Sequence, residues 1–169
     1  QDCGFNSTVS PWEYSSAGLD SGGLGMAVLH VTPDSTCWVR QDIAVNSVLP
    51  LLGDTVRLSA YLLVQVPDTT GDTCGRLQLS YVYANNNPTL PDSVVPFGSV
   101  GFLGGTQAMC GLGCLSTAFV LPAPMSNASW TWTAARVEVG AGDPGTGSGT
   151  LWLDNVTLTP SGPAPDYSW

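Results

Sequence analysis

Val56-Arg57-Leu58-Ser59-Ala60-Tyr61-Leu62-Leu63-Val64 is the stretch that decides the fold. Val56, Leu58, Ala60, Leu62 and Val64 alternate with Arg57, Ser59 and Tyr61. A period of two sends successive side chains to opposite faces of a strand, so the first set faces a core and the second faces outward. Ala135, Val137 and Val139 form another inward set, leaving Arg136 and Glu138 outside. A third run, Leu151-Trp152-Leu153-Asp154-Asn155-Val156-Thr157-Leu158-Thr159, breaks the pattern in its middle. Leu151, Leu153, Asn155 and Val156 cannot share one face, so this strand is expected to bend or bulge near the acid. An acid in an apolar strand is costly unless it meets a cation or several donors, which makes Asp154 a candidate metal anchor.

Working outward, 20 Gly and 13 Pro stand between short alternating runs, the punctuation of an all-β protein. Strands are expected near 4–6, 25–32, 37–45, 54–66, 76–84, 97–103, 115–121, 130–140 and 150–159. There is no internal repeat and no long amphipathic helix. Eight or so antiparallel strands with this alternation fit one two-sheet β-sandwich over residues 1–159. The Pro-rich segment 160–169, ending Asp166-Tyr167-Ser168-Trp169, reads as a tail or linker.

Composition narrows the partners. Only 10% of residues are charged, Lys is absent, and the net charge is −9 with Arg40, Arg57, Arg76 and Arg136 as the cations. That balance argues against nucleic acid and other acidic partners. No apolar run approaches the ~20 residues that span a bilayer. The chain starts at Gln1 without a signal-like segment, and we expect a mature chain whose leader has been removed. Three sequons nominate Asn6, Asn127 and Asn155 as glycan acceptors. Asn127 leads because Pro122, Pro124 and Ser126 put it in a loop, and Asn155 is last because a central strand would hide it.

Five cysteines, Cys3, Cys37, Cys74, Cys110 and Cys114, allow at most two internal disulfides and leave one thiol over. That thiol is either buried and inert or a bridge to another chain. Cys110-Gly-Leu-Gly-Cys114 reads as a tight local loop, with the connectivity open. No Cys-X-X-Cys occurs and one His gives little support to a zinc site, so structural disulfides are favoured over metal ligation. Together with the sequons and the missing Lys, they predict an extracellular eukaryotic product.

Catalysis finds little support. The one His, His30, lies in an alternating run without a Gly-X-Ser-X-Gly elbow, and a nucleophilic triad needs a base. Glycoside hydrolysis needs a paired acid and nucleophile, and only Glu13 and Glu138 are present as Glu. Sugar recognition needs aromatic faces and polar rims instead. Trp130 and Trp132 share one strand face about 7 Å apart, and Tyr81 and Tyr83 form a second such pair. These four are the candidate ligand-binding residues; the alternative is that they cover the end of the sandwich.

Separated motifs then point one way. Gly4-Phe5-Asn6 followed by Ser10-Pro11-Trp12, the glycine-led Gly22-Gly23-Leu24-Gly25-Met26-Ala27-Val28-Leu29-His30-Val31, and Trp38-Val39-Arg40-Gln41-Asp42-Ile43 occur in order. Gly53-Asp54-Thr55-Val56-Arg57-Leu58-Ser59-Ala60 and Leu153-Asp154-Asn155-Val156-Thr157-Leu158 follow. In that order they resemble the 4/9-type jelly-roll carbohydrate-binding modules, of a kind common in secreted fungal proteins. The resemblance implies a non-catalytic extracellular module with polysaccharide or cell-wall glycan as partner, and Trp12 as a packing residue. It also implies a structural calcium on Asp154, with Asn6 where the family has Glu and Asp20 able to compensate; hard cations want several oxygen ligands. The alternative function is a structural subunit of an extracellular fibre, coat or cell wall, self-assembling through the unpaired Cys or the tail.

Overall fold

The computed structural model describes residues 13–15, 17–19, 27–31, 37–66, 73–103, 105–109, 115–125, 128–141 and 149–161, with some strand positions, Asp154 and Asn155 among them, described through their backbone alone. The strand expected at 4–6, Trp12 and the tail beyond Ser161 lie outside these residues. The strands are β1 (Glu13–Ser15), β2 (Ala17–Leu19), β3 (Ala27–Val31), β4 (Cys37–Ala44), β5 (Thr55–Val66) and β6 (Thr73–Asn85). They continue as β7 (Ser93–Leu103), β8 (Gly105–Met109), β9 (Leu115–Val120), β10 (Trp130–Ala141) and β11 (Gly149–Pro160). They form two sheets, ordered β1-β4-β10-β6-β7 and β2-β3-β11-β5-β8, with β9 also pairing β5. Every strand pair is antiparallel. The fold is an antiparallel β-sandwich of jelly-roll type: two sheets, as the alternation predicts, in the class the resemblance implies.

Val56, Leu58, Ala60 and Leu62 on β5 are buried, as are Ala135, Val137 and Val139 on β10. They meet Leu77 and Leu79 of β6 and Leu151 and Leu153 of β11 in one core. Each fully buried aliphatic side chain contributes roughly 1.5–3 kcal/mol relative to exposure.

Register breaks explain how irregular patterns still face the core. On β11 the pairing with β5 shifts between Asp154 and Thr157, so Leu151 and Leu153 before the shift and Val156 after it are all buried. That is the bulge expected beside the acid. On β10 the same happens between Trp132 and Ala134, with Thr133 as the additional residue. The bulge moves the inward set from even to odd positions, so Trp130 and Trp132 pack on the core together with Ala135, Val137 and Val139.

One short helical segment interrupts the strands. Helix α1 (Val45–Val48) runs into a 3-10 turn at Leu49–Leu51 containing Pro50, and Val48 plugs the end of the core. Gly53 adopts φ 85°, a conformation that glycine reaches without steric cost. Its N–H donates to the Leu121 carbonyl (2.9 Å), while the Leu121 N–H donates to the Asp54 carbonyl (3.0 Å).

Among the described residues Cys37 carries a free thiol. It is buried, contacts the Ala141 carbonyl at 3.6 Å, and burial pushes its pKa up. Of the two readings of the leftover thiol, this cysteine fits the buried one. Cys3, Cys110 and Cys114 lie outside the described residues, and Cys74 is described through its backbone in β6. Among the described residues no helix is long and apolar enough to cross a membrane.

Candidate functional site

The four candidate aromatics converge at one end of the sandwich, where β6 and β10 are paired Trp132 to Tyr83 and Trp130 to Asn85. Tyr81 and Tyr83 do not form an exposed pair: they are 3% and 2% exposed. Their positions continue the inward alternation of Leu77 and Leu79, so both rings belong to the core. The Tyr81 ring packs on Phe97 (4.3 Å between centroids), edge-on to Trp132 (5.0 Å) and Tyr83 (6.3 Å). Its hydroxyl donates to the Pro122 carbonyl at 2.6 Å, and burial together with Tyr83 raises its pKa to about 12.

Trp132 is half-buried, and its indole N–H donates to the Ala134 carbonyl at 2.8 Å across the bulge. Trp130 is half-buried beside a small cavity. Both tryptophans are thus half-buried at the sandwich end, packed against the core on one side. His30 lies in β3 and is described through its backbone. Asn6, Asp20 and Asn127 lie outside the described residues. The backbone of Asp154 sits at the register break of β11.

A second polar region has formed where the linear sequence gave little warning. The outer face of the five-stranded sheet carries Arg40, Arg76 and Arg136, three of the chain's four Arg. One row across the sheet reads Glu13, Arg40, Glu138, Gln78 and Ser99. The next reads Asp42, Arg136, Ser80 and Pro96. Antiparallel pairing thus brings the only two Glu of the chain to either side of Arg40. Each of these side chains sits at an outward position of its strand.

The face is held by directed bonds. Arg136 grips Asp42 with two, Nε to Oδ1 at 2.7 Å and Nη2 to Oδ2 at 2.8 Å. The hydrogen bond to Asp42 raises the Arg136 pKa and keeps the guanidinium charged. Arg40 donates to Glu13 Oε2 at 3.0 Å through Nε and stacks 4.0 Å above the Trp38 ring. Gln78 donates to the Ser80 hydroxyl at 3.0 Å. Beside this grid, Trp38 of β4 and Arg76 of β6 pair in register on either side of Gly140 of β10, which has no side chain. A Cβ built on Gly140 would meet nothing nearer than the Cys37 carbonyl at 3.8 Å and Glu138 Oε1 at 3.9 Å. An aromatic ring, a position without a side chain and adjacent donors and acceptors suit a ligand that is apolar on its ring faces and hydroxylated at its edges.

No protein-family model matches the chain, and no curated protein matches it. Solved structures with a similar backbone do exist. The N-terminal cellulose-binding domain of Cellulomonas fimi β-1,4-glucanase C is 14% identical with a TM-score of 0.49, covering 97% of this chain and 99% of that one. The CBM22-2 xylan-binding domain of Paenibacillus barcinonensis Xyn10C is 12% identical with a TM-score of 0.46, covering 95% and 99%. A family 11 carbohydrate-binding module of Clostridium thermocellum, in complex with a β-1,3-1,4-mixed-linked tetrasaccharide, is 12% identical with a TM-score of 0.45, covering 91% of each chain.

Proposed function

We propose that this chain is a non-catalytic carbohydrate-binding module of a secreted protein, and that a polysaccharide chain lies across the outer face of its five-stranded sheet. The side-chain-free position of Gly140 on the outer face, in register between Trp38 and Arg76, is the observation that carries this reading. A sugar ring presents a C–H face to an aromatic and hydroxyl groups to planar polar side chains. Arg40, Arg136, Glu138 and Gln78 offer donors and acceptors side by side, and the bonds of Arg40, Arg136 and Gln78 hold those three before a ligand arrives, which lowers the ordering cost of binding. Glu13 and Arg40 are ion-paired, an arrangement suited to holding a ligand and not to delivering a proton to it. The cysteines and the sequons at Asn6 and Asn127 support secretion, and an N-glycosidase should lower the mass of native material.

Retention on insoluble glucan, xylan, chitin and mannan tests the reading. The native protein should be held on one of the four. Gly140→Leu should reduce retention at least tenfold while unfolding at nearly the same denaturant concentration, because a Cβ at this outward position meets only ordinary van der Waals contacts. Trp38→Ala should act in the same direction. A native protein held on none of the polymers, or a Gly140→Leu variant retained like the native one, refutes the assignment.

A structural calcium held by Asp154, with Asn6 or Asp20 completing its oxygen ligands, belongs to the same reading. Such an ion would neutralise carboxylate charge and tie the bulged strand to a loop. A ligand that binds only the folded state stabilises it by mass action, so calcium should raise the melting temperature and a chelator lower it. Asp154→Ala should abolish that response, and Asp143→Ala should leave it intact. A melting curve indifferent to calcium sinks the metal role.

A further inference from the structure

We propose that the end of the sandwich holds a second, separate ligand site: a pocket for one sugar ring, the terminal residue of a glycan or a free monosaccharide. This inference rests on the carbohydrate-binding reading above but uses different residues. The cavity is lined by Tyr83, Ser93, Met125 and Trp130 and has a volume of about 130 Å³. An engineered protein cavity of about 150 Å³ accepts benzene, so this smaller, partly open one can seat one face or edge of a single ring, the rest of which stays outside.

Its chemistry is mixed in the way a pyranose requires. Trp130 supplies an aromatic surface and Met125 an adaptable apolar lip, 60% exposed. Tyr83, though buried, brings its hydroxyl to the cavity. That oxygen accepts the Met125 backbone N–H at 2.9 Å, which leaves the phenolic proton to donate. Ser93, paired with Tyr83 in register across β6 and β7, adds a hydroxyl that donates and accepts.

The loop that follows β6 is tied down beside Trp130, which pairs with Asn85. Asn86 is fastened to the neighbouring loop by three bonds: its backbone N–H to the Ser129 carbonyl (3.0 Å), its Nδ2 to the Ala128 carbonyl (2.8 Å), and its Oδ1 accepting from Thr131 (2.9 Å). Asn87 Oδ1 accepts both the backbone N–H (3.2 Å) and the hydroxyl (2.8 Å) of Thr89 within the same loop.

The experiment uses Asn127→Gln protein, because that sequon falls between Met125 and Trp130 in the chain and a glycan there would compete. Methyl glycosides of glucose, xylose, mannose and N-acetylglucosamine are titrated by ligand-observed NMR. One of them should bind saturably. Trp130→Ala should weaken that binding at least tenfold and Ser93→Ala severalfold, whereas Gly140→Leu should leave it unchanged. Oligomers of the same sugar should bind Gly140→Leu protein no more tightly than the monomer. No saturable binding by any of the four, or binding untouched by both Trp130→Ala and Ser93→Ala, overturns the pocket. Polymer retention that still responds to Gly140→Leu would then show that only the pocket has failed. Oligomer affinity rising with length in the Gly140→Leu background likewise overturns single-ring recognition.

Discussion

Tyr81→Ala is expected to cost about 3–5 kcal/mol of stability, the range for deleting a large buried ring. Tyr81 stands at the centre of an aromatic cluster, touching Phe97, Trp132 and Tyr83, and Phe97 in turn meets Phe119 at 5.7 Å. Phe97 lies on β7 and Phe119 on β9, so the cluster joins the margins of the two sheets. A cavity at that point loosens the sandwich end along with the residue itself. Urea unfolding measures the loss, and a cost below about 1.5 kcal/mol would contradict this packing. Tyr81→Phe keeps the ring and removes only the bond to Pro122, so it should cost about 1 kcal/mol.

The same residue sets an alkaline limit. Its pKa is raised to about 12 in the folded protein, while the unfolded chain releases the proton near 10. Between those values the folded state binds more protons, so stability falls as pH rises, by roughly 2 kcal/mol from this group at pH 11.5. The absence of Lys keeps that window free of amine titration. Tyr81→Phe should flatten the decline.

Gly75→Val is expected to be the most damaging single substitution on β6. A Cβ at Gly75 would lie 2.3 Å from the Gly140 carbonyl oxygen and 2.4 Å from Phe102 Cζ. The first obstacle is backbone, so β10 itself has to move, and we expect a cost of about 3 kcal/mol or more against the usual 1–3 for overpacking. Gly75→Ala should already destabilise clearly in urea, and a loss under about 1 kcal/mol would mean the strands yield easily. The contrast with Gly140 is instructive: one glycine is required by the fold, and the other leaves room for a ligand.

Much of this was readable from residues alone. Val56 to Leu62 alternate without interruption, so their burial follows from periodicity. The crowding of Leu153, Asn155 and Val156 announced the bulge. Leu77 and Leu79, at the same parity, point Tyr81 and Tyr83 inward, so of the two readings burial at the sandwich end was legible; that their hydroxyls find partners in the 122–125 segment is a long-range fact that no local pattern contains. The short strands β1, β2 and β8 carry too few residues for a period to register. The outer-face grid depends on cross-strand register between segments far apart in sequence, as in the Arg40–Glu138 and Arg136–Asp42 pairs. Its available signal was three Arg at outward positions of strands already recognised.

The sheet margins bear on whether such a module could polymerise strand to strand. A chain that adds to a sheet needs an uninterrupted ladder of unpaired backbone groups as its template. β1 and β2, which border the two sheets on one side, offer three residues each. β7 borders the first sheet on the other side but carries Pro96, which lacks an N–H, beside a register shift opposite Leu79 and Ser80. Along β5 the margin is divided between β8, ending at Met109, and β9, beginning at Leu115. Among the described residues these margins are each short or broken, which makes them a poor template for strand-to-strand growth.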